Sequence, residues 1–271
     1  MTMLPPPTQK KLGLVIDLDI CVGCHACAVA CKQWNDGGRF GPLPDEDAYG
    51  REPLGVWFNR VHSYEITVAG SPQPGSAKLT GAMGSSAPAS GLPATGMTVH
   101  FPRSCLHCET PDCVTVCPTG ASYKRAEDGI VLVDEDKCIG CKLCSWACPY
   151  GAREYSEVRG VMQKCTLCVD RIYNETFEEI DRQPACVMAC PTRARHFGDL
   201  GDPDSEVSKL VAQRNGYDLM PEMGYQPVNK YLPPRRRRCS DAPRADDAQE
   251  NAVDLSEAPP LLRWLDKLLS R

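Results

Sequence analysis

A chain of 271 residues with 42% hydrophobic residues has enough apolar material for one sizeable core or two modest domains. A net charge of −5 at pH 7 and a pI near 5.6 argue against a general nucleic-acid binder. Seventeen cysteines are the outlier: a protein this large seldom needs many disulfide staples, so the thiols are expected to bind something.

The chain opens with "MTMLPPPTQKKLGLVIDLDI", whose short apolar run is broken by Asp17 and Asp19. It has neither a small-residue cleavage site nor a twin-arginine pair, so it does not read as an export signal. No run approaches the length of a membrane span. A cytoplasmic residence is expected, and a periplasmic one only if an exported partner carries the chain. Residues 1–35 end with the first cysteine quartet, Cys21, Cys24, Cys27 and Cys31, in "CVGCHACAVAC".

Residues 36–97 contain "VWFNRVHSYEI", a β-rich run of aromatic and branched residues. A Gly/Pro/Ser/Ala-rich stretch follows at 70–97, with Lys78 as its one charge, and reads as a long flexible surface loop. Residues 98–155 hold two quartets: Cys105, Cys108, Cys113 and Cys117, then Cys138, Cys141, Cys144 and Cys148. Residues 156–200 hold the fourth, Cys165, Cys168, Cys186 and Cys190. From 201 to 271 runs a cysteine-poor extension with four arginines, Arg235–Arg238, that face either a partner, anionic headgroups or water. Its tail places Leu261, Leu262, Leu265, Leu268 and Leu269 on one helical face behind Pro259 and Pro260, as a helix docking on a partner would. Cys239 belongs to no quartet and is expected to have no function.

The quartets come in two styles. "VIDLDICVGC" and "VLVDEDKCIGC" share an apolar strand, aspartates and Cys-x-Gly-Cys. "CLHC…CVTVCPTGA" and "CTLC…CVMACPTRA" differ mainly in the insert between their cysteine pairs, four residues against seventeen. Such repetition points to a duplicated two-site module.

Three chemistries compete for this spacing. Repeated bridges across two intervening residues would strain each loop, and the compartment disfavours disulfides. Zinc sites are usually built from two separated Cys pairs, whereas two groups here are unbroken runs. The third quartet matches C-x₂-C-x₂-C-x₃-C-P, in which three thiolates of one loop hold one cubane cluster and the fourth reaches its neighbour. Pro118, Pro149 and Pro191 follow the last cysteine of three quartets; Lys32 stands there in the first. Sixteen thiolates predict four [4Fe–4S] clusters. His25 and His107 lie inside the loops, but cysteines already fill every ligand position, so both are expected to be solvated or hydrogen-bonded. Spacing leaves the pairing open: first quartet with fourth and second with third, or first with second and third with fourth.

The layout resembles the four-cluster iron–sulfur subunits of the DMSO-reductase family of molybdenum enzymes. "RSCLHCETPDCVTVCPTGASYKR", "DKCIGCKLCSWACPYGAREY", "MQKCTLCVDRI" and "QPACVMACPTRARHFGD" carry the likeness, over residues 12–35 and 98–200. It implies an α+β fold of two ferredoxin-like two-cluster modules with a β-rich insertion, a long loop and an irregular C-terminal extension. Residues 98–155 would form the inner module; residues 1–35 and 156–200 would close the outer one. Cys21, Cys24, Cys27 and Cys190 would hold one cluster, and Cys31, Cys165, Cys168 and Cys186 the next. Cys105, Cys108, Cys113 and Cys148 would hold a third, and Cys117, Cys138, Cys141 and Cys144 the last. No cysteine is replaced by tryptophan, as happens in some relatives.

"FNRVHSYE", "TVHFPRSC", "GDPDSEVSKLV" and "GYDLMPEMGYQPVNKYLPPR" are similar to the branch of the family that oxidises sulfite at the cytoplasmic face of the inner membrane. The resemblance implies a molybdopterin catalytic subunit and an integral membrane anchor with a quinone site as partners. Membrane contact would run mainly through the anchor. A reductase of DMSO, tetrathionate or polysulfide, with electrons running the other way, is the alternative; a free-standing polyferredoxin and a zinc-binding interaction module are more distant ones. The chain itself shows no phosphate loop, nucleophile–base pair or open metal site, so it is expected to carry electrons and not to catalyse. Lys124, Arg125, Lys142, Lys164, Arg193 and Arg195 lie near ligands in sequence and would raise cluster potentials if they face them.

Overall fold

The run "LGLVID" becomes strand β1 (Leu12–Asp17), with all six residues buried. A strand this continuously apolar needs cover on both faces. Leu12, Leu14 and Ile16 point into the main core with Leu106, Ile130, Leu167 and Tyr231. Val15, on the other face, packs with Leu232 and with Val207 of helix α6 (Glu206–Gln213). Strand β8 (Arg195–Asp199) pairs antiparallel with β1, and β9 (Lys230–Leu232) pairs parallel on its other side.

The computed structural model describes residues 2–36, 56–67 and 96–235. The Gly/Pro/Ser-rich stretch to residue 95, Arg236–Arg238, Cys239 and the leucine-striped tail lie outside the described residues. Residues up to Pro234 form one unit, which contains all sixteen quartet cysteines.

The β-rich run supplies β2 (Asn59–Thr67), antiparallel to β3 (Gly96–Ser104), with Asn59 opposite Ser104. Tyr231 of β9 is fully buried, stacks on Phe101 at 4.5 Å, and donates its hydroxyl to the Pro102 carbonyl at 3.0 Å. This joins the β2–β3 ribbon to the three-stranded sheet. Two short hairpins complete the strands: β4 (Ser122–Lys124) with β5 (Val131–Val133), and β6 (Glu154–Ser156) with β7 (Val161–Gln163). Helix α4 (Val169–Ile172) lies in the long insert of the fourth quartet. The class is α+β, as expected.

Helices α2 (Asp112–Thr115), α3 (Leu143–Trp146) and α5 (Ala185–Met188) are single turns. Proline explains their brevity. Pro118, Pro149 and Pro191 disfavour helical backbone at the cysteine before each of them and cannot continue the ladder. Helix α1 (Ala26–Asp36) meets Lys32 instead and runs for 11 residues. The extra turns are used: buried Lys32 donates Nζ to the Val56 carbonyl at 2.8 Å, and Asn35 Nδ2 bonds the Cys31 carbonyl at 2.8 Å and its Sγ at 3.6 Å.

Lys32→Pro is therefore expected to shorten α1 and cost about 3 kcal/mol or more, whereas Lys32→Ala, which gives up the bond to Val56 and the contact 5.3 Å over the Trp57 ring but keeps the helix, costs less, about 1–2 kcal/mol. Urea unfolding midpoints measure both. Equal destabilisation would mean that the missing proline has no structural consequence.

Candidate functional site

Every quartet begins with the same turn. The second residue between its first two cysteines is left-handed in all four: Gly23 (φ 67°), His107 (49°), Gly140 (67°) and Leu167 (53°). Glycine adopts this backbone freely, while a side chain there costs about 1–2 kcal/mol. His107 and Leu167 tolerate it because both are locked in the core, at 0% and 1% exposure. His25 (φ 60°) and Lys142 (φ 63°), at equivalent positions before α1 and α3, repeat the conformation. The third cysteine then sits at the second residue of the helix and the fourth stands four residues on, one turn away.

This arrangement gathers thiols across quartets. Cys21, Cys24, Cys27 and Cys190 line one cavity of about 320 Å³ (site A). Cys31, Cys165, Cys168 and Cys186 line a second of about 290 Å³ (site B). Cys105, Cys108, Cys113 and Cys148 form an interacting set (site C). Cys117, Cys138, Cys141 and Cys144 line a cavity of about 310 Å³ (site D). The first quartet thus shares its sites with the fourth, and the second with the third. Cys24 of site A and Cys141 of site D are exposed; all four thiols of site B are buried.

As bare thiols, several of the buried members of these groups are held out of ionisation. Burial, then Cys105, Cys113 and Cys148, pushes Cys108 well up. Burial raises Cys113 to about 11, with the Arg153 guanidinium opposing. Cys165 and Cys168 are pushed up to about 12, mainly by burial. Cys117 is shifted the other way: burial raises it, but the Ser122 N–H at 3.3 Å and the Thr119 hydroxyl outweigh burial and hold it below the usual thiol value. Its counterpart Cys190 accepts the Ala194 N–H at 3.2 Å and faces Thr192, the same Cys-Pro-Thr device. Buried thiols raised in this way need a positive centre among them to become thiolates.

The donors around the thiols test what that centre is. A mononuclear zinc ion draws its sulfurs to about 2.3 Å from one point. Among the described residues no three of His, Cys, Asp or Glu converge as a single metal ion requires; the thiols ring a space instead. Several buried donors also find no protein acceptor: Asn59 Nδ2, Ser104 Oγ, His107 Nε2, Tyr150 OH, and Nε and Nη1 of Arg153. Asn59 and Ser104 line site B and Arg153 lines site D. Each such donor costs about 1–3 kcal/mol if left unpaired. Inorganic sulfides of a cluster are acceptors of the right kind, so the residues fit an iron–sulfur centre.

The histidines are not brought together as ligands. His107 Nδ1 accepts the Val131 N–H at 3.1 Å. Burial, with Lys164, Arg153 and Lys124 nearby, holds its pKa well below the ordinary value, so it is a neutral donor through Nε2. His25 lines site A. Of the cations singled out in the sequence, Lys164 and Arg195 are buried among the thiols. Lys124 is buried too, but its Nζ is taken by Glu109 at 3.4 Å and by the Cys108 carbonyl at 3.1 Å. Arg125 pairs with Asp128 at 3.1 Å, Lys142 lies 4.3 Å over the Tyr155 ring, and Arg193 is exposed. Sequence reasoning missed Arg153, whose Nη2 donates to Cys113 Sγ at 3.0 Å and to Ser122 Oγ at 2.8 Å. The signal was there: "CPYGAR" and "CPTRAR" put Arg153 and Arg195 at the same place after their prolines.

Thiol quartets of this kind, with N–H donors turned on the sulfurs, define an iron–sulfur protein. Residues 97–200 match the family of 4Fe-4S dicluster domains. The sequence is 54% identical to a subunit of the sulfite dehydrogenase of Allochromatium vinosum, over 85% of its own length and 86% of that protein's. It is 36% identical to a chain of the anaerobic dimethyl sulfoxide reductase of Escherichia coli (74% and 80% covered). It is 33% identical to a chain of the polysulfide reductase of Wolinella succinogenes (84% and 96% covered). The protein is a member of the iron–sulfur electron-transfer subunits of the DMSO-reductase type of molybdopterin oxidoreductases.

Gly23 and Gly140 share one backbone conformation but not one environment. An added Cβ at Gly140 would meet the Gly160 carbonyl oxygen at 2.5 Å, whereas at Gly23 it would meet the His100 ring at 2.4 Å. A side chain can yield where backbone cannot. Gly140→Ala is expected to lose more of its bound iron than Gly23→Ala, as measured by iron per chain after anaerobic purification. Equal loss would show that the turn conformation alone, not the neighbour, decides.

Proposed function

We propose that sites A to D hold four [4Fe–4S] clusters, with the sixteen cysteines named above as ligands, in two ferredoxin-like modules. Residues 98–155 make the inner module, and residues 1–35 with 156–200 the outer. Fully cysteine-ligated clusters supply one-electron transfer and leave no position for substrate. The chain's own part is to hold them in series, exclude water from site B and set their potentials through N–H···S bonds.

The physiological role follows as an electron relay between a molybdopterin subunit that oxidises sulfite and a quinone site in an integral membrane anchor. The complex would sit on the cytoplasmic side of the inner membrane, with this chain peripheral. The observation that carries this is the 54% identity, over 85% of the chain, to a sulfite dehydrogenase subunit; the reductase chains named above stand at 36% and 33%. Among the described residues no helix is long and apolar enough to cross a membrane, which suits a peripheral place. Apolar side chains are exposed beside both surface sites: Val22, Val29 and Met188 near site A, and Ile139, Leu143 and Trp146 near site D. Two such patches suit a chain with two partner subunits.

The test is to isolate the complex anaerobically and add sulfite. The expected result is bleaching of the broad absorption near about 400 nm, with about 16 irons per chain. If sulfite leaves the clusters oxidised while DMSO, tetrathionate or polysulfide reoxidises reduced ones, the substrate and direction are reversed. A second prediction concerns the patch: Trp146, 80% exposed, should be replaceable by glutamate with full iron content but with release of one partner subunit on gel filtration. Retention of both partners would remove the patch from the interface.

A further inference from the structure

Of the buried cations among the described residues, Arg195, Lys164 and Arg153 stand between thiol sites, and their positions alternate with those sites. Arg195 lines both site A and site B. Its Nη1 donates to Cys186 Sγ at 3.5 Å, and its Nη2 is anchored on Asn59 Oδ1 at 2.7 Å. Arg153 reaches Cys113 of site C at 3.0 Å and lines site D, where it lowers Cys144 by charge and by hydrogen bond. Sites B and C adjoin across Lys164: Cys165 of site B follows it in the chain, and Val131, whose carbonyl it holds, bonds through its N–H to His107 in the Cys105–Cys108 turn of site C at 3.1 Å. Lys164 donates Nζ to the carbonyls of Val131 and, at 2.7 Å, of Cys165, and it also lowers Cys113 of site C. Each of the three is at most 4% exposed.

Burial works against a charge on either arginine, and the groups facing that charge belong to the two sites beside it. Arg195 lies 3.5 Å from Cys186 of site B and also lines site A with Cys27. Arg153 lies 3.0 Å from Cys113 of site C and also lines site D with Cys144. A buried charge of this kind is retained only with partners on hand. None of the three cations is neutralised by a carboxylate in the contacts described above, so the counter-charge has to be the sites themselves.

We propose that Arg195, Lys164 and Arg153 are positioning residues that occupy the three gaps of an A–B–C–D series, each shared by the two sites it separates. This rests on the four-cluster reading above. Each added electron makes a cluster more negative, and in a low-dielectric interior two neighbouring reduced clusters repel. A fixed cation between them stabilises the reduced state of both, which offsets part of that repulsion. The three therefore act on overlapping pairs, not on single clusters.

The overlap supplies a test that needs no prior assignment of spectra. The purified complex, with all partners bound, is titrated potentiometrically and followed by EPR, as wild type and as Arg195→Gln, Lys164→Gln and Arg153→Gln. Each variant is expected to lower two of four midpoints, by about tenfold in the one-electron equilibrium, or about 59 mV. Arg195→Gln and Arg153→Gln should share no affected centre, while Lys164→Gln shares one with each. Arg153→Lys and Arg195→Lys, which keep the charge, should restore most of the shift. One shifted centre per variant, no shift, or any other overlap would overturn the proposal. Fewer than four centres in the wild type would instead overturn the reading beneath it. If a glutamine variant loses a cluster, Ser122→Ala and Asn59→Ala are measured in its place, since each frees one arm of an arginine and leaves all ligands. A smaller shift confined to the same pair supports the proposal, and unchanged midpoints overturn it.

Discussion

The structure depends on one constraint: in each quartet the last thiol stands a helical turn beyond the third. The first three cysteines, two on a left-handed turn and one at the start of a helix, face one space, and the fourth is carried to the next. No quartet can then complete a site by itself. Chain segments far apart in sequence have to meet, and they do: Cys190 closes the site of Cys21, and Cys148 joins that of Cys105. Filled with clusters as proposed, the thiol sites would also cross-link the fold.

This explains why the secondary structure is so short. Single-turn helices and three-residue strands bury little apolar surface and are marginal alone. The buried strand β1 and the ring stack of Phe101 on Tyr231 supply the hydrophobic part. Much of the remaining interior is polar: Arg153, Lys164, Arg195 and His107 are all buried. Burying such groups is costly without partners, and the orphan donors among them mark where the partners belong. Core and site are the same place, so stability and electron transfer draw on the same residues.

The gathering of the thiols was legible beforehand because they are one residue type at fixed intervals. The glycines of Cys-x-Gly-Cys and the prolines after the final cysteines announced the turns and helix ends, and Lys32 announced where the pattern would break. The α+β class followed from the same motifs. What stayed hidden were features that depend on burial. Lys164 stood out in sequence only by its nearness to a cysteine, and Arg153 only by its match to Arg195; that both are buried shows only in the packing. Strand β9 has three residues and pairs with β1 from more than two hundred positions away, too short for a periodic signal. Spacing alone left two pairings of the quartets open; the thiol positions favour one of them.

Interleaving is the claim on which both the wire and its cations stand. It is tested most directly by an iron-edge anomalous difference map from crystals of the anaerobically purified complex. The account predicts four compact iron centres in series, with Cys31 bound to a different centre from Cys21, Cys24 and Cys27, and Cys190 bound to theirs. A centre enclosed by Cys21, Cys24, Cys27 and Cys31 together would contradict it.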